Sequence, residues 1–303
     1  MAATPPRPTD TDLIIMGGGP AGCAAALTAA SVGMRSVLIE PDTLCRNLHR
    51  IPALNNVLGG YTNGPDLADS IAADLKRRDL CRIEIGRRAT EIRTFDDHVV
   101  VTLDTRTRLT APYAVLATGV GPLQPQDVPW ITAPPDLILA PLWQAEPDDA
   151  EDRTLLILGG DRPIGTFLRA HEDTNTQLIV AYPTDDDYKV EEIVDDPRVT
   201  LLPVAHLTLR LSEGPVVTAE TVGREGQRDI VSADAVFLSI GSAPTAPPGD
   251  LVRDVAGYCP PSDQHPRVIV AGDLRSAQFQ RIMTAMGSGS EAALHAYYAM
   301  RRQ

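Results

Sequence analysis

Cysteine is scarce in this 303-residue chain, and the few present are scattered. Cys23, Cys45, Cys81 and Cys259 stand at least 22 positions apart, so no C-x-x-C, no zinc-type spacing and no disulfide scaffold can be read from them. Cysteines spread in this way are usually small buried fillers. Long apolar runs are missing too: nothing approaches the roughly 18 residues that a membrane-spanning helix needs. Segment 1–12 is polar and proline-bearing, without the apolar stretch of a secretion signal, so the expected location is cytoplasmic. Basic charge is in deficit, with 27 Lys and Arg against 40 Asp and Glu, a formal −13. Nucleic acid and anionic membranes are bound through basic patches, so neither is an expected partner.

What is present points to a globular chain of two domains. Apolar residues make up 43% and charged residues 22%, and the length exceeds one ordinary core. Half of the 26 prolines lie in residues 120–150 and 240–266, which marks these segments as connections. Between them the charge is uneven. Residues 120–240 carry 22 acidic and 8 basic side chains, net −14, while the remainder is +1.

The motif that carries chemistry is Gly17-Gly18-Gly19-Pro20-Ala21-Gly22. It follows a short apolar strand, 12–16, and opens an alanine-rich helix over 21–31. A second strand, 36–39, leads to Glu40, 18 residues beyond Gly22. A dinucleotide site needs this order. Gly17 permits the tight turn, Gly19 lets backbone approach a pyrophosphate, and Gly22 lets helix and strand pack closely. The helix N-terminus offers free N–H groups to the phosphates. Glu40 can accept from the two hydroxyls of a ribose, and its charge would repel a 2′-phosphate. Further strands are expected at 99–103, 114–117 and 268–271, with a long helix over 281–301. A second strand–helix–strand frame is expected at 154–158, 164–172 and 177–182. No short-period repeat is evident.

Ala117-Thr118-Gly119, Ala271-Gly272-Asp273, residues 54–60 (LNNVLGG), 64–67 (GPDL) and 237–241 (FLSIG), and the closing stretch 280–289 (QRIMTAMGSG) accompany the first motif. Together these segments resemble the FAD domain of the flavin-disulfide reductases, and more narrowly the low-molecular-weight thioredoxin reductases. The resemblance runs over nearly the whole chain. It implies an α/β fold of two Rossmann-like three-layer domains, with an FAD domain of residues 1–119 plus 242–303 and an inserted NAD(P)-type domain at 121–240. It also implies a homodimer. Position by position, it puts Gly17, Gly19, Pro20, Ala21 and Gly22 at the FAD pyrophosphate and Glu40 at the adenosine ribose. Ala89 falls near the adenine and Asn56 near the flavin. Gly119 belongs to the site, and Gly272 and Asp273 fall at the ribityl chain. The helix from Ile282 would point its N-terminus at the flavin N1–C2=O edge. Arg281 stands where the family has glutamine, unless the alignment slips by one residue and Gln280 holds that place.

The sequence departs from this family at two defining features. Where thioredoxin reductases carry their C-x-x-C, residues 141–147 read PLWQAEP, so the ordinary dithiol relay is excluded. The second glycine turn reads Gly159-Gly160-Asp161-Arg162-Pro163-Ile164-Gly165. Asp161 adds bulk and negative charge where a pyrophosphate should approach, and Ile164 replaces a small packing residue. The next strand leads to Asp185, Asp186 and Asp187 rather than to arginines. This speaks against NADPH and leaves NADH open. Cys45 lies in the segment after Glu40 and is expected to have no nearby partner. In the same loop Arg46, Asn47, His49 and Arg50 are candidates to face the substrate, His49 as the acid–base group. No metal site is expected.

The function these features imply is an FAD-dependent oxidoreductase without a dithiol relay. It would oxidise a small or carrier-bound substrate directly at the flavin, with oxygen or another acceptor. Two alternatives stay open: a flavin reductase fed by NADH or a protein donor, and a non-catalytic flavoprotein that binds a partner.

Overall fold

A computed structural model describes residues 11–302 except 52, 146, 162 and 212–215. The chain divides into two compact units, Met1–Gly121 with Pro244–Gln303, and Pro122–Ala243.

In the first unit, four consecutive apolar residues form β1 (Leu13–Met16), and all four are buried. Such a run suits a parallel strand covered on both faces. The alanine-rich α1 (Pro20–Ser31) follows, with Pro20 at its first position. Gly33, at φ +81°, lets the chain turn back. It enters β2 (Ser36–Glu40), which pairs parallel to β1 with Leu13 opposite Ser36. The side chain of Asn63 caps α2 (Gly64–Lys76) by accepting from the Asp66 N–H at 2.9 Å. Next come β3 (Cys81–Ile85), the antiparallel strands β4 (Ala89–Thr94), β5 (Val99–Leu103) and β6 (Arg108–Ala111), and then β7 (Tyr113–Leu116). The chain leaves through β8 (Val120–Pro122).

The second unit begins with β9 (Ile131–Thr132) and the short α3 (Pro147–Ala150). Strands β10 (Thr154–Leu158), β11 (Gln177–Pro183) and β12 (Val199–Val204) are parallel, and α4 (Pro163–Ala170) crosses between the first two. An antiparallel meander follows, β13 (His206–Leu211), β14 (Val217–Val222) and β15 (Arg228–Ala233). β16 (Ala235–Leu238) then joins the parallel sheet beside β10. Alternation along β10 divides the core. Leu155 and Ile157 meet Ile164, Phe167 and Leu168 of α4, whereas Leu156 and Leu158 meet Leu207, Leu209 and Ala219 of the meander.

The chain returns through β17 (Ser242–Pro244) to β18 (Val268–Val270) and α5 (Ile282–Arg301). β18 completes a five-stranded parallel sheet in the order β18-β7-β1-β2-β3. Ile15, Leu38 and Val115 face a layer containing Ala25, Ala29, Ala292 and Ala296 from α1 and α5. Ile14, Met16, Val37 and Ile39 face the β4–β6 layer through Ile92, Val99 and Val101. The first unit therefore has the expected three layers. The second has three layers of the same kind, a parallel sheet with α4 on one face and the β15-β14-β13-β9 strand layer on the other, so in both units one helical layer of a doubly wound domain is replaced by strands. Among the described residues no helix is long and apolar enough to cross a membrane.

Candidate functional site

The turn between β1 and α1 is shaped by contacts that admit no side chain. A Cβ on Gly17 (φ +102°) would lie 2.4 Å from the Ala117 carbonyl oxygen, and one on Gly22 would lie 1.8 Å from that of Gly17. Gly289 on α5 is equally constrained, because a Cβ there would sit 1.9 Å from the Ala21 carbonyl oxygen. This close approach lets α1 and α5 cross directly behind the turn. Gly19 differs: a Cβ there would meet nothing within 4 Å. The open space lies at the N-cap of α1, whose first turn has no side-chain cap and no acidic residue. Backbone donors facing open space at a helix N-terminus fit a pyrophosphate.

Glu40, at the end of β2, frames the same turn. One of its oxygens accepts from the Gly18 N–H at 2.7 Å and the other from the Asp42 N–H at 2.9 Å. A carboxylate offers about four lone-pair directions, so capacity remains for ribose hydroxyls. The Thr118 hydroxyl, on the strand end packed against Gly17, is buried with no hydrogen-bond partner in the protein. Ala89 is half-buried at the start of β4, Gly119 takes φ +65° in open space, and Asn56 is exposed.

The other end of the site is a cavity of about 310 Å³ lined by Gly272, Asp273, Ser276, Phe279, Thr284 and Ser288, among others. The Ser288 hydroxyl accepts from the Gly272 N–H at 2.9 Å, tying this turn to α5. Burial pushes the Asp273 carboxyl above its ordinary range, and the positive charge of Arg281 offsets part of that. A desolvated acceptor of this kind fits a sugar or polyol hydroxyl. Gln280 is turned inward, its amide donating to the Ser276 carbonyl at 3.0 Å and the Asp273 carbonyl at 3.2 Å. Arg281 is the exposed N-cap of α5. Its N–H donates to the Thr284 hydroxyl at 3.1 Å, and its guanidinium donates to the Gln280 carbonyl at 2.7 Å. Ile282, the first residue of α5, is half-buried. Phe279 was not among the residues singled out from the sequence. It stands 79% exposed at the lip of the cavity with φ +62°, a conformation no sequence signal foretells for a phenylalanine.

The loop candidates do not converge. Arg46, Asn47 and His49 are all exposed, and Arg46 pairs with Asp42 at 2.9 Å. The cysteines require a correction, because Cys45 does have a close neighbour. Its sulfur lies 3.8 Å from that of Cys23, and both side chains are buried. Sequence separation concealed this, since the loop after β2 folds back onto α1. No group of three metal-ligating side chains occurs among the described residues.

The second glycine turn opens like the first and then diverges. A Cβ on Gly159 (φ +99°) would lie 2.3 Å from the Ser239 carbonyl oxygen, as Gly17 does against Ala117. Where the first turn has the open Gly19, the second has Asp161, and Lys189 reaches across to it at 3.1 Å. The same ammonium contacts Asp186 at 3.1 Å. Desolvation would lower the Lys189 ammonium, but the two carboxylates outweigh it and hold it above its ordinary value. Val190 closes over Gly160, with a methyl 2.8 Å from where a Cβ would stand, and Ile164 is buried in the core beneath. Arg162 lies outside the described residues. The position that is open at Gly19 in the first turn is thus held by a paired carboxylate in the second.

Comparisons with known proteins agree with this architecture. The family described as pyridine nucleotide-disulphide oxidoreductase matches residues 11–160. A Staphylococcus aureus relative, the alkyl hydroperoxide reductase F subunit, is 22% identical over 94% of the chain, and its counterpart in Xanthomonas campestris pv. phaseoli is 25% identical over 94%. The chain spans only 58% and 56% of these relatives. Among solved structures, Lactococcus lactis thioredoxin reductase superposes with a TM-score of 0.77 at 17% identity, covering 97% of this chain and 100% of that one. The bacillithiol disulfide reductase of Bacillus cereus gives 0.71 at 16% identity, covering 95% and 99%. Identities this low establish the fold alone. The chain thus has the fold of thioredoxin reductase over nearly its whole length, and its residues 11–160 are similar to the pyridine nucleotide-disulphide oxidoreductases.

Proposed function

We propose that the chain binds FAD in the first cradle and uses it without a dithiol relay, oxidising a small or carrier-bound substrate directly at the flavin. Oxygen or another acceptor then takes the electrons. The contrast between the two glycine turns carries this reading. Gly19 leaves open space at a helix N-terminus, whereas Asp161 is neutralised and covered by Lys189. The lack of any C-x-x-C in the 303 residues removes the other usual route for electrons.

Bound FAD supplies two-electron redox chemistry. The protein binds and orients it: Gly17, Gly19, Pro20, Ala21 and Gly22 at the pyrophosphate, Glu40 at the adenosine ribose, and Gly272 and Asp273 at the ribityl hydroxyls. The N-terminus of α5, with Arg281 as its cap, provides positive potential for charge that develops on reduction. The names of its relatives, an alkyl hydroperoxide reductase and a bacillithiol disulfide reductase, point to peroxide and thiol chemistry, which keeps a carrier-bound thiol among the candidate substrates. A homodimer accompanies this reading.

Anaerobic titration of the purified flavoprotein with NADH, NADPH and dithionite, followed by admission of air, tests it. Dithionite alone should bleach the flavin, and air should restore the colour within seconds. A colourless protein would remove FAD from the account. Rapid bleaching by either nicotinamide would replace direct oxidation with a reductase fed through the second unit.

A further inference from the structure

We propose that Cys23 and Cys45 are a thiol pair placed to close into a disulfide, forming a covalent latch on the wall of the FAD cradle. Cys23 lies on the first turns of α1, and Cys45 lies in the loop that follows β2. Their sulfurs are 3.8 Å apart, and each residue is 1% exposed. A disulfide needs about 2.05 Å between sulfurs, so closure asks for a shift of under about 2 Å.

Two further observations show that this placement is built. The Cys45 N–H and the Cys23 thiol both donate to the Gly18 carbonyl, at 2.8 and 3.1 Å. One backbone oxygen in the phosphate turn thus positions both members. Cys45 also holds φ +54°, a left-handed conformation unfavourable for a residue with a Cβ. Hydrogen bonding to Cys45 and burial together raise the Cys23 thiol well above its ordinary value, so little of it is thiolate and its oxidation is slow.

Hydrogen peroxide is an oxidant small enough to enter. One sulfur attacks the O–O bond and becomes a sulfenic acid with loss of water. The second sulfur then displaces the hydroxyl as another water. The two thiols give up two electrons and two protons, and one peroxide becomes two waters. The product ties the loop carrying Leu44 and Cys45 to α1. That loop forms one wall of the cradle, since Leu44 and Glu40 would both contact a Cβ placed on Gly18. With the wall fastened, the cofactor leaves less readily. This consequence rests on the FAD binding proposed above and on none of its redox chemistry.

The FAD-loaded protein is exposed to hydrogen peroxide or kept in dithiothreitol, then denatured, alkylated and digested for mass spectrometry. A peptide crosslinked through Cys23 and Cys45, two thiols fewer to alkylate, and reversal by dithiothreitol are expected. Cys23→Ala and Cys45→Gly should each abolish the crosslink, and Cys81→Ser should leave it intact. Glycine accepts the left-handed conformation at 45, so that variant stays folded. Release of FAD, followed by its fluorescence after dilution into mild chaotrope, should slow on the order of tenfold in the oxidised form. Four alkylatable thiols after peroxide would overturn the pair. A crosslink with unchanged or faster release would overturn the latch. The mass readout stands even for protein that has lost its cofactor.

Discussion

At the scale of single residues, Gly289 and Gly19 of the first cradle do different work, and substitution should separate them. A Cβ at Gly289 would lie 1.9 Å from the Ala21 carbonyl oxygen, and α1 and α5 are in contact along much of their length, so neither can yield alone. Gly289→Ala should therefore destabilise the fold by about 1–3 kcal/mol, read as a lower urea midpoint whether or not FAD is bound. Gly19 has nothing within 4 Å of its missing Cβ, so the Cβ of Gly19→Asp enters open space. The substitution does place a carboxylate where the pyrophosphate should lie. The apoprotein of Gly19→Asp should melt within a degree or two of wild-type apoprotein, while the purified variant carries little flavin absorbance. Normal flavin content in Gly19→Asp would mean that the cradle holds something other than a dinucleotide phosphate. Gly17 and Gly22 combine both effects and would not separate them.

At the scale of elements, the decisive segment is residues 184–193, which lies over the second glycine turn and brings Lys189 to Asp161 and Asp186. The Lys189 side chain is 28% exposed, so its two ion pairs are partly shielded from solvent. Lys189→Met leaves two carboxylates facing each other. It should cost about 1–2 kcal/mol at low ionic strength, with the loss shrinking as salt screens the repulsion. Urea unfolding at low and high salt would measure it, and no loss at low salt would mean that the triad is incidental to the closed turn. The elements differed in how far the sequence disclosed them, for physical reasons. β1, β2, β7, β10 and β11 are continuous apolar runs covered on both faces, and each lies within two residues of its expectation. The meander was not visible: β15 reads Arg228–Ala233 with only Ala233 buried, so its alternation is too weak to distinguish from a loop. The first cradle was legible because its chemistry is local, with turn, helix and Glu40 inside one short unit. The Cys23–Cys45 approach and the Lys189 bridge are products of tertiary folding, which spacing along the chain does not encode.

At the scale of the whole molecule, the formal charge of −13 is a property that any redox partner meets before it meets the site. At about 10 mM salt the screening length is roughly 30 Å, comparable to the size of a domain, so a small ion approaching from any side feels the net charge. Reduced and oxidised nicotinamides are anions, as is dithionite, and all three are repelled at long range. A cationic donor such as the reduced methyl viologen radical is attracted. The expected result is opposite salt dependence in stopped-flow reduction of the bound flavin. Rates with viologen should fall as salt rises from about 10 to 200 mM, and rates with dithionite should rise, because the same field is being screened in both cases. Parallel slopes, or none, would show that the field at the point of electron entry is not that of the whole molecule. The charge is unevenly divided along the chain, −14 over residues 120–240 against +1 elsewhere, so flat slopes would mean that electrons enter through the neutral unit, where donors of either sign approach equally well. Opposite slopes would restrict the physiological donor or acceptor to neutral or basic species and exclude an acidic electron-transfer protein as an efficient partner.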